Sequence, residues 1–155
     1  MVEKVISGAQ TGADLSGLIT AKKLGIKTGG KMPNGFKNHT GPHPEYAEEY
    51  GMEEHDSPYY PPRTQWNVVN SDATIRFALN FDSPGERCTL KFIKANNKPH
   101  LDINVLFLPR VEEVKQWLED NNVKILNIAG NSEKSAPGIG IIVQKFLTEV
   151  LSSNM

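Results

Sequence analysis

Short apolar runs alternate along the chain with segments in which apolar residues recur every three or four positions. The apolar runs predict strands at 4–7 (KVIS), 25–28 (GIKT), 73–79 (ATIRFAL), 100–105 and 123–129 (VKILNIA). The three-to-four periodicity predicts helices at 13–24, 86–97, 110–122 and 137–153. Gly25 is suited to ending the first helix, and Pro137 to the first turn of the last.

This alternation predicts the fold class. Strands separated by helices are joined by right-handed crossovers into a parallel sheet with helices on both faces. We therefore expect one doubly wound, Rossmann-like α/β domain over residues 1–155, with a mainly parallel five-stranded sheet. The segment 29–65 is rich in Gly, Pro, His and Tyr, and only PEYAEEY within it has a helical pattern. Long ordered connections are usually functional, so we expect it to close over a ligand or onto a neighbouring subunit.

Composition narrows the class of protein. The 155 residues carry a net charge near −1, with lysines and arginines scattered along the chain, which disfavours nucleic acid as a partner. Cys88 is the only cysteine, so no internal disulfide forms. There is no apolar run long enough to span a bilayer and no secretory signal. We expect a cytoplasmic protein without a membrane partner.

Ligands of open α/β sheets bind beyond the carboxyl ends of the strands, and the first strand ends in an unusual loop, SGAQTGAD (7–14). Gly8 and Gly12 would let backbone amides converge beside a helix N-terminus, which is an anion-binding arrangement. The loop matches neither the dinucleotide fingerprint nor a P-loop. The alternative is a tight strand–helix turn in which Asp14 only favours the helix start.

Two further strand–helix connections carry polar and glycine residues. In LNIAGNSEKSAPG (126–138), Asn127 and Gly130 end a strand and Glu133 precedes a helix; an ordinary capping loop is the alternative. In NFDSPGERCT (80–89), Gly85 allows close approach and Ser83 offers a hydroxyl.

The stretch RTQWNVVNSDAT brings four polar residues to the start of the third strand: Arg63, Asn67, Ser71 and Asp72. These could instead be structural, with Ser71 or Asp72 as a cap and Trp66 in the core.

Metal and thiol chemistry receive little support from the sequence. The spacing of His39, His43, Glu45 and Glu48 matches no standard zinc or iron pattern, so no metal site is predicted. Cys88 lies on a predicted helix with no histidine nearby in sequence, which favours a core position over a nucleophile.

Four stretches carry a family resemblance: SGAQTGAD, TGG at 28–30, RTQWNVVNSDAT and LNIAGNSEKSAPGI. They resemble, in the same order and nearly end to end, the molybdenum-cofactor carrier proteins. That family belongs to a larger Rossmann-like group that includes the lysine-decarboxylase-like phosphoribohydrolases and the DNA-processing protein DprA.

The resemblance implies a homo-oligomer that binds a phosphorylated pterin, such as the molybdenum cofactor, or a nucleotide-like ligand at the glycine loops. The residues that it points to in the first loop and after the second strand are Gly8, Gln10, Thr11, Gly12, Asp14, Gly29 and Gly30. Those in the middle and last motifs are Arg63, Asn67, Asp72, Asn127, Gly130 and Glu133. Ser83 and Gly85 of the remaining loop complete the expected ligand-binding set.

The chain departs from the family pattern at two places. Ala9 replaces the second glycine of Ser-Gly-Gly-Gln, and Pro84-Gly85-Glu86 stands where Gly-Gly-Thr is usual. A carboxylate facing a phosphate would repel it, so we expect the Glu86 side chain to turn outward. No catalytic signature is found. Binding and carriage of the ligand is the leading hypothesis. The alternatives are an enzyme acting on a nucleotide or phosphoribosyl compound, with Glu133, Glu86 or Asp72 as acid or base, and a nucleotide-sensing module.

Overall fold

A computed structural model of the protein describes residues 1–152. Ser153, the last residue of the predicted closing helix, lies outside the described residues, as do the last two residues of the predicted domain. The strands are β1 (Lys4–Ile6), β2 (Lys27–Met32), β3 (Lys37–Asn38), β4 (Gly41–Pro42), β5 (Met52–Glu54), β6 (Ala73–Ala78), β7 (His100–Asn104) and β8 (Ile125–Gly130). The helices are α1 (Ala13–Lys23), α2 (Tyr46–Tyr50), α3 (Tyr60–Val69), α4 (Pro84–Ala95), α5 (Val111–Asp120) and α6 (Ile139–Leu151).

The main sheet has six strands in the order β5-β2-β1-β8-β6-β7, and every pairing between them is parallel. This confirms the Rossmann-like α/β class and corrects the strand number from five to six. The additional strand is β5, which pairs with the end of β2 through Gly30 and Met52. The second strand also lies later than the predicted 25–28, at Lys27–Met32, because it continues through Gly29 and Gly30 to Met32.

Helices cover both faces of the sheet. All six residues of β6 are buried, which requires cover on each side. Helix α6 packs against both α1 and α5, and α3 and α4 form a second contacting pair. The main apolar cluster joins residues of β1, β6 and β8 to residues of α5 and α6, including Phe77 against Phe146.

The connection between β2 and β6 is more ordered than its composition predicts. It contains the two-stranded β3–β4 sheet, the predicted helical segment as α2, the strand β5 and the helix α3. The helix α3 was missed because Pro61 and Pro62 follow its first residue; in the first turn of a helix a proline loses no backbone hydrogen bond.

Among residues 1–152, no helix is both long enough and apolar enough to cross a membrane.

Candidate functional site

A cavity of about 420 Å³ opens beyond the carboxyl ends of β1 and β8, between the helices α3 and α4. The volume is in the range of small-molecule sites, and this edge of an open α/β sheet is where such folds bind ligands. Nine residues of the expected ligand-binding set line it: Gly8, Gln10, Asp14, Arg63, Asn67, Ser83, Gly85, Asn127 and Gly130.

Three other expected residues hold neighbouring loops together instead. The hydroxyl of Thr11 accepts a hydrogen bond from the amide of Glu133 at 3.3 Å. A Cβ on Gly12 would come within 2.5 Å of the carbonyl oxygen of Asn131, so the close backbone approach that Gly12 allows is to the protein's own chain. The carboxylate of Glu133 accepts hydrogen bonds from the amides of Gly138 and Gly140 at the start of α6, and so acts as a cap.

The last three expected residues do not line this cavity. Gly29 and Gly30 belong to β2, and a Cβ on Gly30 would come within 2.2 Å of the carbonyl oxygen of Ser7, the residue that follows β1. Asp72 lies at the opposite, amino edge of the sheet, where its carboxylate accepts hydrogen bonds from the amides of Lys124 and Ile125. Asp72 therefore acts as a cap, which is the structural alternative given above for the motif RTQWNVVNSDAT.

A buried ion pair lies at the inner end of the cavity. The Nη1 atom of Arg63 on α3 is 3.7 Å from Oδ2 of Asp14 on α1, and 13% and 7% of the two side-chain surfaces are exposed. The Nε atom of Arg63 is buried without a hydrogen-bond partner, and so is Oε1 of Gln10. Buried polar atoms are nearly always satisfied in proteins, so these two atoms leave one donor and one acceptor for a water molecule or a polar ligand in the cavity.

Burial dominates the electrostatics of this pair. Desolvation raises the pKa of Asp14 from 3.8 to about 7, although Arg63 and the amides of Gln10 and Gly130 favour the charged carboxylate. The negative charge of Glu86 also raises the pKa of Asp14. Desolvation also lowers the pKa of Arg63, against the attraction of Asp14. Asp14 therefore stabilises the positive charge of the Arg63 guanidinium only partly.

Gly8 makes room for Arg63. A Cβ at this position would come within 2.0 Å of Nη1 and 2.9 Å of Cζ of Arg63, and within 3.2 Å of Oδ2 of Asp14. The first loop therefore needs glycine at this position so that the guanidinium can lie against its backbone. The sequence signal was correct in requiring close approach at Gly8, but the approaching group is Arg63.

Glu86 is buried in the wall of the cavity, with 5% of its surface exposed, so the expectation that it turns outward is wrong. Its Oε2 atom accepts hydrogen bonds from Oγ of Ser83 and Nδ2 of Asn131, each at 3.0 Å. Burial raises its pKa, while Ser83, Asn131, Arg76 and Arg63 oppose that rise. Two carboxylates, Asp14 and Glu86, thus share one cavity with one guanidinium.

A second buried arginine supports the loop that carries Glu86. Arg76 on β6 donates through Nη1 to the backbone carbonyl of Glu86 at 2.8 Å. Its Nε and Nη2 atoms donate to both oxygens of Asp102 on β7 at 2.7 and 2.6 Å. Because Arg76 and Asp102 are register partners in the parallel pair, the two strands present them side by side.

Several residues that line the cavity were not in the expected set: His39, Tyr60, Thr64, Cys88, Thr89, Ser132 and Ser135. Cys88 is half-buried in the wall, which corrects its assignment to the core. The prolines at 61 and 62, preceded by tyrosines, were the signal for a helix that presents Tyr60, Arg63 and Thr64 on one side. His39 and Tyr60 come from the connection between β2 and β6, so part of that segment does border the cavity.

Comparisons with known proteins assign the chain to a family. A family model, that of the circularly permutated YpsA SLOG family, matches residues 5–151. The chain belongs to this family.

No curated protein matches the chain. A solved structure that does match is the crystal structure of a "putative molybdenum carrier protein" from Syntrophus aciditrophicus SB. It is 30% identical in sequence and superimposes with a TM-score of 0.89, and the match covers 97% of this chain and 96% of the other. Membership of the family and this neighbour agree with the resemblance noted in the sequence.

Proposed function

We propose that this protein binds, and carries, a phosphorylated small molecule of the molybdopterin or nucleotide type in the cavity beyond β1 and β8. The observation that carries the proposal is Arg63. Its guanidinium is buried and borders the cavity, and one of its nitrogen atoms has no partner within the protein. A buried, incompletely paired arginine is a strong site for a phosphate or another oxyanion, because its planar fork of donors fits two oxygens at once.

The rest of the cavity suits such a ligand. Hydroxyl groups of Ser83, Ser132 and Ser135 border it, and Ser83 is the N-cap of α4, where backbone amides carry partial positive charge. The Nε2 atom of Gln10 donates to the carbonyls of Gly8 and Lys37, so its unpartnered Oε1 is free to accept a hydrogen bond from a hydroxyl or amino group of the ligand. The molybdenum-carrier name of the similar crystal structure adds support for the molybdopterin type of ligand.

Native mass spectrometry of protein purified from cells is the first test, since a carried ligand should co-purify. Isothermal titration calorimetry with guanosine 5′-monophosphate then compares the wild type with Arg63→Met. We expect the variant to bind at least roughly tenfold more weakly, because a charge-assisted hydrogen bond contributes about 1.5–3 kcal/mol.

Arg110→Met is the matched control, because the side chain of Arg110 is 79% exposed and does not line the cavity. It should bind as the wild type does. Equal affinities of Arg63→Met and wild type, in a folded variant, would contradict the proposal.

A second candidate function is turnover of a nucleotide or phosphoribosyl compound. It is favoured by one observation: Asp14 and Glu86 are buried carboxyl groups in the cavity wall, and burial raises the pKa of both. Carboxyl groups with raised pKa values can exchange protons at neutral pH, as general acids and bases do. Incubating the protein with nucleoside monophosphates and separating the products by chromatography tests this; binding without product supports the carrier.

A homo-oligomer and a cytoplasmic location stay predictions of the sequence. Sedimentation velocity tests the first. Limited proteolysis of segment 29–65, with and without ligand, tests whether this segment closes over the cavity.

A further inference from the structure

The anion-binding groups at the inner end of the cavity are engaged by a carboxylate of the protein itself. The amides of Gln10 and Gly130 favour the charged form of Asp14, and Arg63 lies 3.7 Å from its carboxylate. In related strand–helix geometries such amides face the ligand's anion. Here Asp14, with only 5% of its surface exposed, occupies that place.

The contact between Asp14 and Arg63 is not a tight one. Its 3.7 Å separation exceeds the 2.7–2.9 Å of a charge-assisted hydrogen bond, and Nε of Arg63 has no partner. The other buried arginine, Arg76, donates hydrogen bonds to Asp102 at 2.6 and 2.7 Å, so a closer arginine–aspartate pair does form elsewhere in this protein. An oxyanion in the cavity could therefore form a better contact with Arg63 than Asp14 does.

Electrostatic repulsion opposes the binding of an anionic ligand at Arg63 while Asp14 is still charged. Among the residues that line the cavity, Asp14 and Glu86 place two carboxylates around one guanidinium, that of Arg63, and an anionic ligand would add a third negative group. The charge of Arg76, which lies behind Glu86, is already paired with Asp102. The remaining titratable groups that line the cavity are His39, Tyr60 and Cys88, and none of them is permanently cationic. The smallest change that removes the repulsion is a proton on Asp14.

We propose that Asp14 competes with the ligand's anion for Arg63, so that anion binding in this cavity is coupled to the uptake of one proton by Asp14. The inference rests on the proposed function, since it assumes an anionic ligand at Arg63. It makes Asp14 a specificity-determining residue: the site binds anions more strongly as the pH falls. Burial raises the pKa of Asp14 to about 7, which sets the coupling near neutral pH.

The test is the pH dependence of affinity in the wild type and in Asp14→Asn. Calorimetric titrations with guanosine 5′-monophosphate run from pH 5.5 to 9. Because the ligand's own phosphate titrates identically in both experiments, the ratio of the two affinities isolates Asp14. We expect the variant to bind more tightly than the wild type, with a ratio that grows roughly tenfold per pH unit above about 7 and is constant below about 6.

The matched control is Asp120→Asn, an exposed residue of α5 outside the cavity lining, which should follow the wild type at every pH. Titration with sodium sulfate, whose charge is constant in this range, in two non-phosphate buffers of different ionisation enthalpy counts the protons directly. Uptake approaching one proton at pH 8 by the wild type supports the inference even if Asp14→Asn does not fold.

The outcomes separate the two proposals. Binding with a constant ratio between Asp14→Asn and wild type, or with no proton uptake at pH 8, overturns the coupling and leaves the proposed function standing. No binding of either probe by either protein at any pH overturns both.

Discussion

The protein contains two buried arginines near the same cavity, and their surroundings differ. Arg76, 1% exposed, donates to both oxygens of Asp102 and to the carbonyl of Glu86, and its guanidinium lies 4.9 Å from the ring centroid of Phe81. The Arg63 guanidinium also lies near a ring, 5.3 Å from the centroid of Tyr60, but it has one loose carboxylate contact, at 3.7 Å, and a buried nitrogen without a partner.

This difference separates a structural arginine from a candidate binding one. A buried charge is tolerated when its hydrogen bonds are satisfied, and a pair of that kind resists substitution because removing one member leaves the other uncompensated. An arginine whose donors are incompletely used has capacity left for a ligand. We therefore expect substitutions of Arg76 to act on stability and substitutions of Arg63 to act on binding.

The largest effect is expected for Arg76→Met. Loss of the guanidinium leaves the carbonyl of Glu86 without its donor and Asp102 partly buried without its partner, so the free energy of unfolding should fall by about 3–5 kcal/mol. Urea denaturation measures the change. The exposed control, Arg110→Met, should stay within about 0.5 kcal/mol of the wild type. A loss below about 1 kcal/mol for Arg76→Met would remove the contrast between the two arginines.

The second effect is the pH dependence that Asp14 gives to stability. Its pKa is about 7 in the folded protein, against an ordinary value of 3.8, so between these values the folded state binds the additional proton. Stability from this group is complete below pH 3.8 and is lost as the pH rises through 7, at about 1.4 kcal/mol per pH unit and up to about 4 kcal/mol in total.

Asp14→Asn should lack this contribution. We expect the stability of the variant, relative to the wild type, to rise by that amount between pH 4 and 7.5 in urea denaturation series. A difference that does not change with pH would show that Arg63 stabilises the carboxylate as completely as burial destabilises it.

A smaller loss of stability is expected for Arg63→Met, about 1–2 kcal/mol at pH 7. Asp14 can take up a proton when its partner is removed, so little uncompensated charge stays buried. The same urea series measures it beside Arg76→Met. A loss as large as that of Arg76→Met would mean that Arg63 is structural as well.

The smallest effect on stability is expected for Gly8→Ala. The added Cβ would displace the end of the Arg63 side chain, which is flexible, so the free energy of unfolding should change by about 1 kcal/mol or less. Affinity for guanosine 5′-monophosphate should nevertheless fall. In the Arg63→Met background the same substitution should have no further effect on affinity, because it acts through Arg63. An undiminished effect in that background would place the contact at Gly8 itself.

Much of the fold follows from local patterns. The apolar runs of β1, β6 and β8 and the periodic helices α1 and α6 were predicted close to their observed bounds, because burial on one or both faces leaves a period in the sequence itself. The motifs that end β1 and β8 were also correctly placed at the edge where the cavity lies. The structure adds β5, which is too short to show a period, and α3, whose two prolines argued against a helix.

What the sequence alone determined is therefore the α/β class, the positions of the loops at the carboxyl edge and the need for glycine within them. The tertiary structure decided which groups meet there. Strand order, with β8 rather than β6 beside β1, is a non-local pairing that no local pattern encodes. The same long-range packing brings Arg63 to Gly8 and Asp14, turns Glu86 inward onto Asn131, and leaves Asp72 at the opposite edge. Burial, which sets the pKa of Asp14, exists only once these distant segments have come together.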